Sequence, residues 1–285
     1  MTEAFAEFPL AIFTTLAAIG VGAYVTIAIA YMSGKFSNEE YQRTAKFTAV
    51  PLGFVVVGVL ASFMHLSAPL NATNVFSTVG STPMANEIIW LVVFGLLALI
   101  YFLAGGLGKM PGGTHKVLGC ALAVLGVICC IFMGCAYTVA TIPSWNTLFT
   151  PMSMLGFGLF GGGAVGMFVL AKAGVSDRVI DGDCANRIIG VDMLGFILAV
   201  VGVIGIYAVT CGTNNALING AEAAGEVLVF VVISVILMVL CAIGFFMAAK
   251  VAPWVSVSAI LMVLMVIAVF LARLAFYGMQ VGMGL

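Results

Sequence analysis

Apolar residues run along this chain in long stretches broken by short polar gaps, at 9–32, 47–65, 84–107, 117–140, 152–171, 188–210, 227–249 and 253–275. Each stretch is close to or above the roughly 20 residues that a helix needs to cross a hydrocarbon core. Eight transmembrane helices are predicted, because an open strand would leave backbone groups unpaired in lipid. No gap reaches twenty residues, so no soluble domain is left over and 1–285 reads as a single polytopic membrane domain of the all-α class.

Composition agrees: 64% of residues are hydrophobic and 7% charged, against roughly a quarter charged in a soluble domain. The opening MTEAFAEF is acidic and lacks the basic start of a signal peptide, so the first span is expected to be retained. The net charge of −1 offers little to nucleic acid, which is not expected as a partner.

The placing of the charges says more than their sum. Lys35, Arg43, Lys46, Lys109, Lys116, Lys172, Arg178, Arg187 and Lys250 fall in alternate gaps, and only Arg273 lies towards the other side. Nine against one predicts those four gaps in the cytoplasm and both termini outside. The outer gaps 66–83 and 141–151 carry no charge, and a docked subunit would cover such loops, although a headgroup-level aromatic belt also explains Trp145. Glu39 and Glu40 in gap 33–46, the aspartates of 172–187, and Glu222 and Glu226 read as solvated.

Glycines at 20 and 22 in span 1, and at 161, 162, 163 and 166 in span 5, predict close helix packing. A weak echo at an offset of 142 relates Pro9 and Gly20 to Pro151 and Gly162, and Leu52-Gly53-Phe54 to Leu194-Gly195-Phe196. Either two four-helix units, 1–142 and 143–285, descend from a duplication or so biased a composition produces the echo by chance.

Candidate chemistry is concentrated at the outer ends of spans 2 and 3. His65 closes span 2 and can act as a proton acceptor or merely cap the helix end. Span 3 is expected to start with Thr82 as N-cap and Pro83 at the first helical position. Glu87 then lies a full turn inside, where an ionisable group is costly and tends to mark a proton or ion route. Arg273, about 20 residues or ~30 Å past Pro253, reaches the level of Glu87, either to pair with it, to face a polar headgroup or to snorkel. Asp192 falls just inside the cytoplasmic end of span 6, a candidate for a proton route, and His115 reads as a solvated loop residue. The two histidines lie a membrane thickness apart, ~30 Å, so no bis-histidine haem is expected. The seven scattered cysteines form no C-x-x-C pair and no iron-sulfur or other metal site is expected.

Several short motifs, in order, resemble the membrane anchor subunits of dimethyl sulfoxide reductase-type molybdoenzymes. They are H-L-S-A-P at 65–69, N-E at 86–87, T-I-P-S-W-N-T-L-F-T-P at 141–151, Gly161-Gly162 and Phe276-Tyr277. The resemblance covers the chain but is weaker in its second half. It implies a non-molybdenum subunit of the bacterial cytoplasmic (inner) membrane that holds an iron-sulfur subunit and a molybdopterin catalytic subunit and oxidises menaquinol. It also implies that the quinol-site histidine and glutamate are His65 and Glu87. Predicted depth adds Trp145 and Arg273 to the quinol-binding set. If protons are released and consumed on one side, turnover is expected to be electroneutral. Two rivals stand beside this reading: a secondary transporter, which would favour charged or broken helices near the midplane, and a purely structural anchor.

Overall fold

The computed structural model describes residues 7–34, 36–64, 69–180, 183–215, 217–248 and 254–282. Its α-helices are α1 (Phe8–Ser33), α2 (Asn38–Phe47), α3 (Ala49–Phe63), α4 (Pro83–Ile100), α5 (Gly112–Cys135), α6 (Phe149–Lys172), α7 (Ser176–Ile180), α8 (Asp183–Gly212), α9 (Gly220–Ala248) and α10 (Trp254–Gly278). A 3₁₀ helix spans Pro69–Thr78, and a π-helical turn, Tyr101–Gly105, extends α4. Among the described residues eight helical segments are long and apolar enough to cross a membrane, α2 and α3 together making one. The expected all-α membrane fold is the observed one.

Three local expectations are corrected. Most of the expected loop 33–46 lies in α2, because Ser37 and Glu40 make a capping box: the Ser37 N–H donates to Glu40 at 2.6 Å and the Glu40 N–H to the Ser37 hydroxyl at 3.2 Å. Glu40 is therefore not simply solvated, and it also pairs with Arg178 at 3.4 Å. Helix α5 begins at Gly112, so His115 is a helical, buried residue rather than a solvated one. Helix α8 begins at Asp183, which carries Asp192 nine residues, about 13 Å, into the helix.

The two most buried spans, α1 and α6, lie side by side at the centre. A β-carbon on Gly22 would overlap the Gly158 carbonyl, and one on Gly162 would overlap the Gly22 carbonyl carbon and fall 2.6 Å from the Ala23 nitrogen. Small residues thus bring the two backbones into direct contact, as the glycine pattern predicts. Helix α1 packs on α3 and α5, with α4 outside α5; α6 packs on α8 and α10, with α9 joining both of these.

The spans alternate in direction, so the connections gather at two ends. One, the basic end, carries Arg43, Lys46, Lys109, Lys116, Lys172, Arg178 and Arg187. The other carries the start of α1, α4, α6 and α9 and the finish of α5, α8 and α10. There the described connections 69–82, 136–148 and 213–219 contain no charged residue. Several of their apolar side chains stand out from the bundle, Leu148 at 86% and Leu217 at 82% exposure.

Candidate functional site

At the end opposite the basic one, the start of α4 places a carboxyl inside the protein. Thr82 accepts from the Ala85 N–H at 3.3 Å and Pro83 opens the helix, as its sequence leads one to expect. The Asn86 side chain accepts from the Gly80 N–H at 2.7 Å, which fixes the approach of the chain to the cap. Glu87, Leu91, Phe94 and Ala98 then recur on one helical face and are buried against the bundle. The Glu87 carboxyl is only 6% exposed, and its Oε1 has no hydrogen-bond partner. Buried polar atoms without a hydrogen-bond partner are rare in folded proteins and cluster at functional sites.

Arg273, on the last turns of α10, meets the same region and is wholly buried. Its Nε donates to the Thr14 hydroxyl of α1 at 2.8 Å and its Nη2 to the Tyr277 hydroxyl at 3.0 Å. Its Nη1 has no partner. The guanidinium carbon lies 4.1 Å from the Phe276 ring centre, 4.8 Å from Tyr277 and 5.0 Å from Tyr137, an aromatic enclosure that offsets part of the desolvation of the charge. The Tyr277 and Tyr137 hydroxyls are 2.7 Å apart. Arg273 and Glu87 interact electrostatically through space, and each also acts on the Tyr137 hydroxyl. A narrow cavity between α6, α8 and α10 is lined by Arg273 and Phe276 together with Ser153, Phe157, Val203 and Ile206.

Trp145 belongs to this cluster as a support. Its ring stacks on Phe276 at 4.7 Å and its indole N–H is committed to the Phe276 carbonyl at 3.0 Å. Indole has a single donor, so Trp145 keeps only its ring for contact with a ligand. His65 lies outside the described residues. Of the four residues singled out for quinol, the fold therefore brings Glu87, Arg273 and Trp145 to one end of the bundle. Arg273 does not snorkel: its charge is held inward by Thr14, Tyr277 and the rings.

Thr14, Tyr137 and Tyr277 join the cluster although sequence reasoning assigned none of them a site role, Tyr277 having been named only within the Phe276-Tyr277 motif. Tyr277 was within reach, since it follows Arg273 by four residues and so shares its helical face. Thr14 and Tyr137 had no such signal, being 259 and 140 residues from their partners Arg273 and Tyr277.

Two other buried polar groups are remote from this cluster. Asp192 is fully buried with neither carboxyl oxygen partnered, pressed against Gly163 of α6. Near the basic end His115 Nδ1 lies 3.2 Å from the Tyr101 hydroxyl, which lies 2.7 Å from that of Tyr31, and the His115 ring stacks on Tyr41 at 5.2 Å. Among the described residues no group of three or more His, Cys, Asp or Glu is arranged to hold a metal ion.

The chain matches the family profile described as DMSO reductase anchor subunit (DmsC) over residues 1–279. It is 35% identical over 147 residues to the C subunit of the anaerobic dimethyl sulfoxide reductase of Haemophilus influenzae, a match covering 52% of each protein. It is 31% identical over 170 residues to the YnfH subunit of an anaerobic dimethyl sulfoxide reductase of Escherichia coli, covering 60% of each. With the C subunit of the Escherichia coli anaerobic dimethyl sulfoxide reductase the identity is 27% over 224 residues, 78% of this chain and 75% of that one. The chain thus spans about half the length of the first of these relatives, at 52%.

Proposed function

Because the chain belongs to the DMSO reductase anchor subunit family, we propose that it anchors a reductase complex to the bacterial inner membrane and oxidises menaquinol at its Glu87 end. The observation that carries the reading is the pair of buried, incompletely partnered groups there, Glu87 Oε1 and Arg273 Nη1, the latter within an aromatic enclosure. Such a constellation suits a ring that carries hydroxyls: aromatic walls take the ring, and a few polar groups fix its orientation.

Quinol oxidation removes two electrons and two protons and leaves quinone. Of the two hydroxyl protons His65 accepts one, and Glu87, hydrogen-bonded to the headgroup, relays the other. Arg273 opposes the negative charge that develops on the ring oxygen as its proton leaves. The electrons pass to an iron-sulfur cluster of one partner and from there to a molybdopterin subunit. These partners dock on the uncharged connections beside the site, with the basic end in the cytoplasm. Protons released and protons consumed by the reductase then lie on the same outer side, and turnover is electroneutral.

The transporter reading has one observation in its favour, the carboxyl of Asp192 deep in α8. Against it, α6 and α8 run unbroken past that carboxyl, whereas transporter sites are typically built from discontinuous helices.

The test is Glu87→Gln in the assembled complex. Quinol-driven reduction is expected to fall at least tenfold, while reduction driven by a soluble dye that feeds the partners directly is unchanged. Wild-type quinol rates in an assembled Glu87→Gln complex would overturn the site.

A further inference from the structure

We infer that Tyr137 donates a hydrogen bond to the quinol oxygen remote from Glu87, and that Arg273 polarises this hydroxyl through Tyr277. The inference rests on the quinol reading above and adds a residue to it.

Donors and acceptors must match along the series of hydroxyls. A guanidinium only donates, so the 3.0 Å contact runs from Arg273 Nη2 to the Tyr277 oxygen. An oxygen that accepts from a cation makes its own O–H a better donor. The hydroxyl 2.7 Å away, that of Tyr137, is the group placed to accept that hydrogen. The Tyr137 hydrogen is then left over at the end of the series. Burial pushes the Tyr137 phenol above its ordinary range, so the hydrogen remains on the oxygen near neutral pH and must be donated elsewhere.

Position favours the ligand as its acceptor. Tyr137 follows α5 directly and is partly exposed, unlike the fully buried Arg273 and Tyr277. Its ring is fixed edge-on against Trp145 at 5.8 Å and Phe276 at 5.4 Å, so the hydroxyl has little freedom to turn away. Glu87, on α4, is near enough to act on this hydroxyl through space. A 1,4-quinol carries its two oxygens on opposite edges of the ring. One edge can therefore meet Glu87 while the other meets Tyr137. As that second oxygen changes from hydroxyl to carbonyl its proton leaves to the acceptors of the quinol reading above, not to Tyr137, and the oxygen becomes an acceptor only, which matches a fixed donor.

The test is Tyr137→Phe in the assembled complex, which removes the hydroxyl and keeps the ring. Two readings are taken: the quinol-driven rate, and the infrared carbonyl bands of bound, carbon-13-labelled menaquinone. The rate is expected to fall about 10- to 100-fold, the range for one lost hydrogen bond at a buried site. One of the two carbonyl bands should move to higher frequency and the other stay, a change that a merely structural role would not give. Should Tyr137→Phe fail to assemble, Tyr277→Phe decides, because it leaves Tyr137 and its direct contact with Arg273 intact but removes the hydroxyl between the Tyr137 hydroxyl and Arg273 Nη2; the same band should move part of the way. Unchanged bands and rates in the variant that assembles would overturn the inference. If Glu87→Gln also leaves bands and rates unchanged, the quinol site itself is wrong; if Glu87→Gln is impaired, only the role of Tyr137 is.

Discussion

Individual side chains here are set by what the opposing helix leaves out. A β-carbon on Gly163 would overlap the Asp192 carboxyl, so the carboxyl occupies the room that the glycine vacates. Gly163→Ala should therefore destabilise the protein by about 1–3 kcal/mol through overpacking. Combining it with Asp192→Ala should recover most of that loss; thermal unfolding in detergent reads both, and a double variant no better than the single would refute the steric account. Glu87 could be picked out in the sequence because an acid one turn inside an apolar span is conspicuous. Arg273 could be placed by counting residues from Pro253. Their surroundings were hidden, since Thr14 and Tyr137 reach them only through tertiary contacts between helices far apart in the chain.

At the scale of elements, the spans themselves were legible, because lipid demands long apolar helices and the periodicity of burial does not have to be known. Their ends were less so. Apolar runs mark the hydrocarbon and not the helix, and so α5 and α8 start five residues earlier than hydropathy suggests. Hydropathy alone therefore leaves His115 in a loop and Asp192 near the surface. Where α1 meets α6, the backbone contact at Gly22 and Gly158 predicts an asymmetric response to bulk. Gly22→Leu should abolish accumulation of folded protein in the membrane, whereas Gly53→Leu, with nothing within 4 Å of its β-carbon, should be tolerated. Quantifying folded protein after detergent extraction separates the two; equal levels would mean that the crossing is looser than described.

For the molecule as a whole, the distribution of charge between the two ends was readable at once from sequence, and its consequence for orientation can be checked directly. A reporter enzyme that is active only outside the cytoplasm should work when fused after residue 282 and fail when fused within 106–111; the reverse pattern would invert the proposed topology. The exposed side chains of the connections at the Glu87 end, Leu148 and Leu217 foremost, offer a partner apolar area and no charge. Association driven by apolar area has a large heat-capacity change and weakens on cooling, whereas ionic association weakens with salt. The purified complex should therefore withstand a wash at high ionic strength yet shed its extramembrane subunits on prolonged storage in the cold. An anchor of this kind would be cold-labile and salt-resistant, and the reductase in a chilled cell would lose its route to the quinol pool before it lost its catalytic centre.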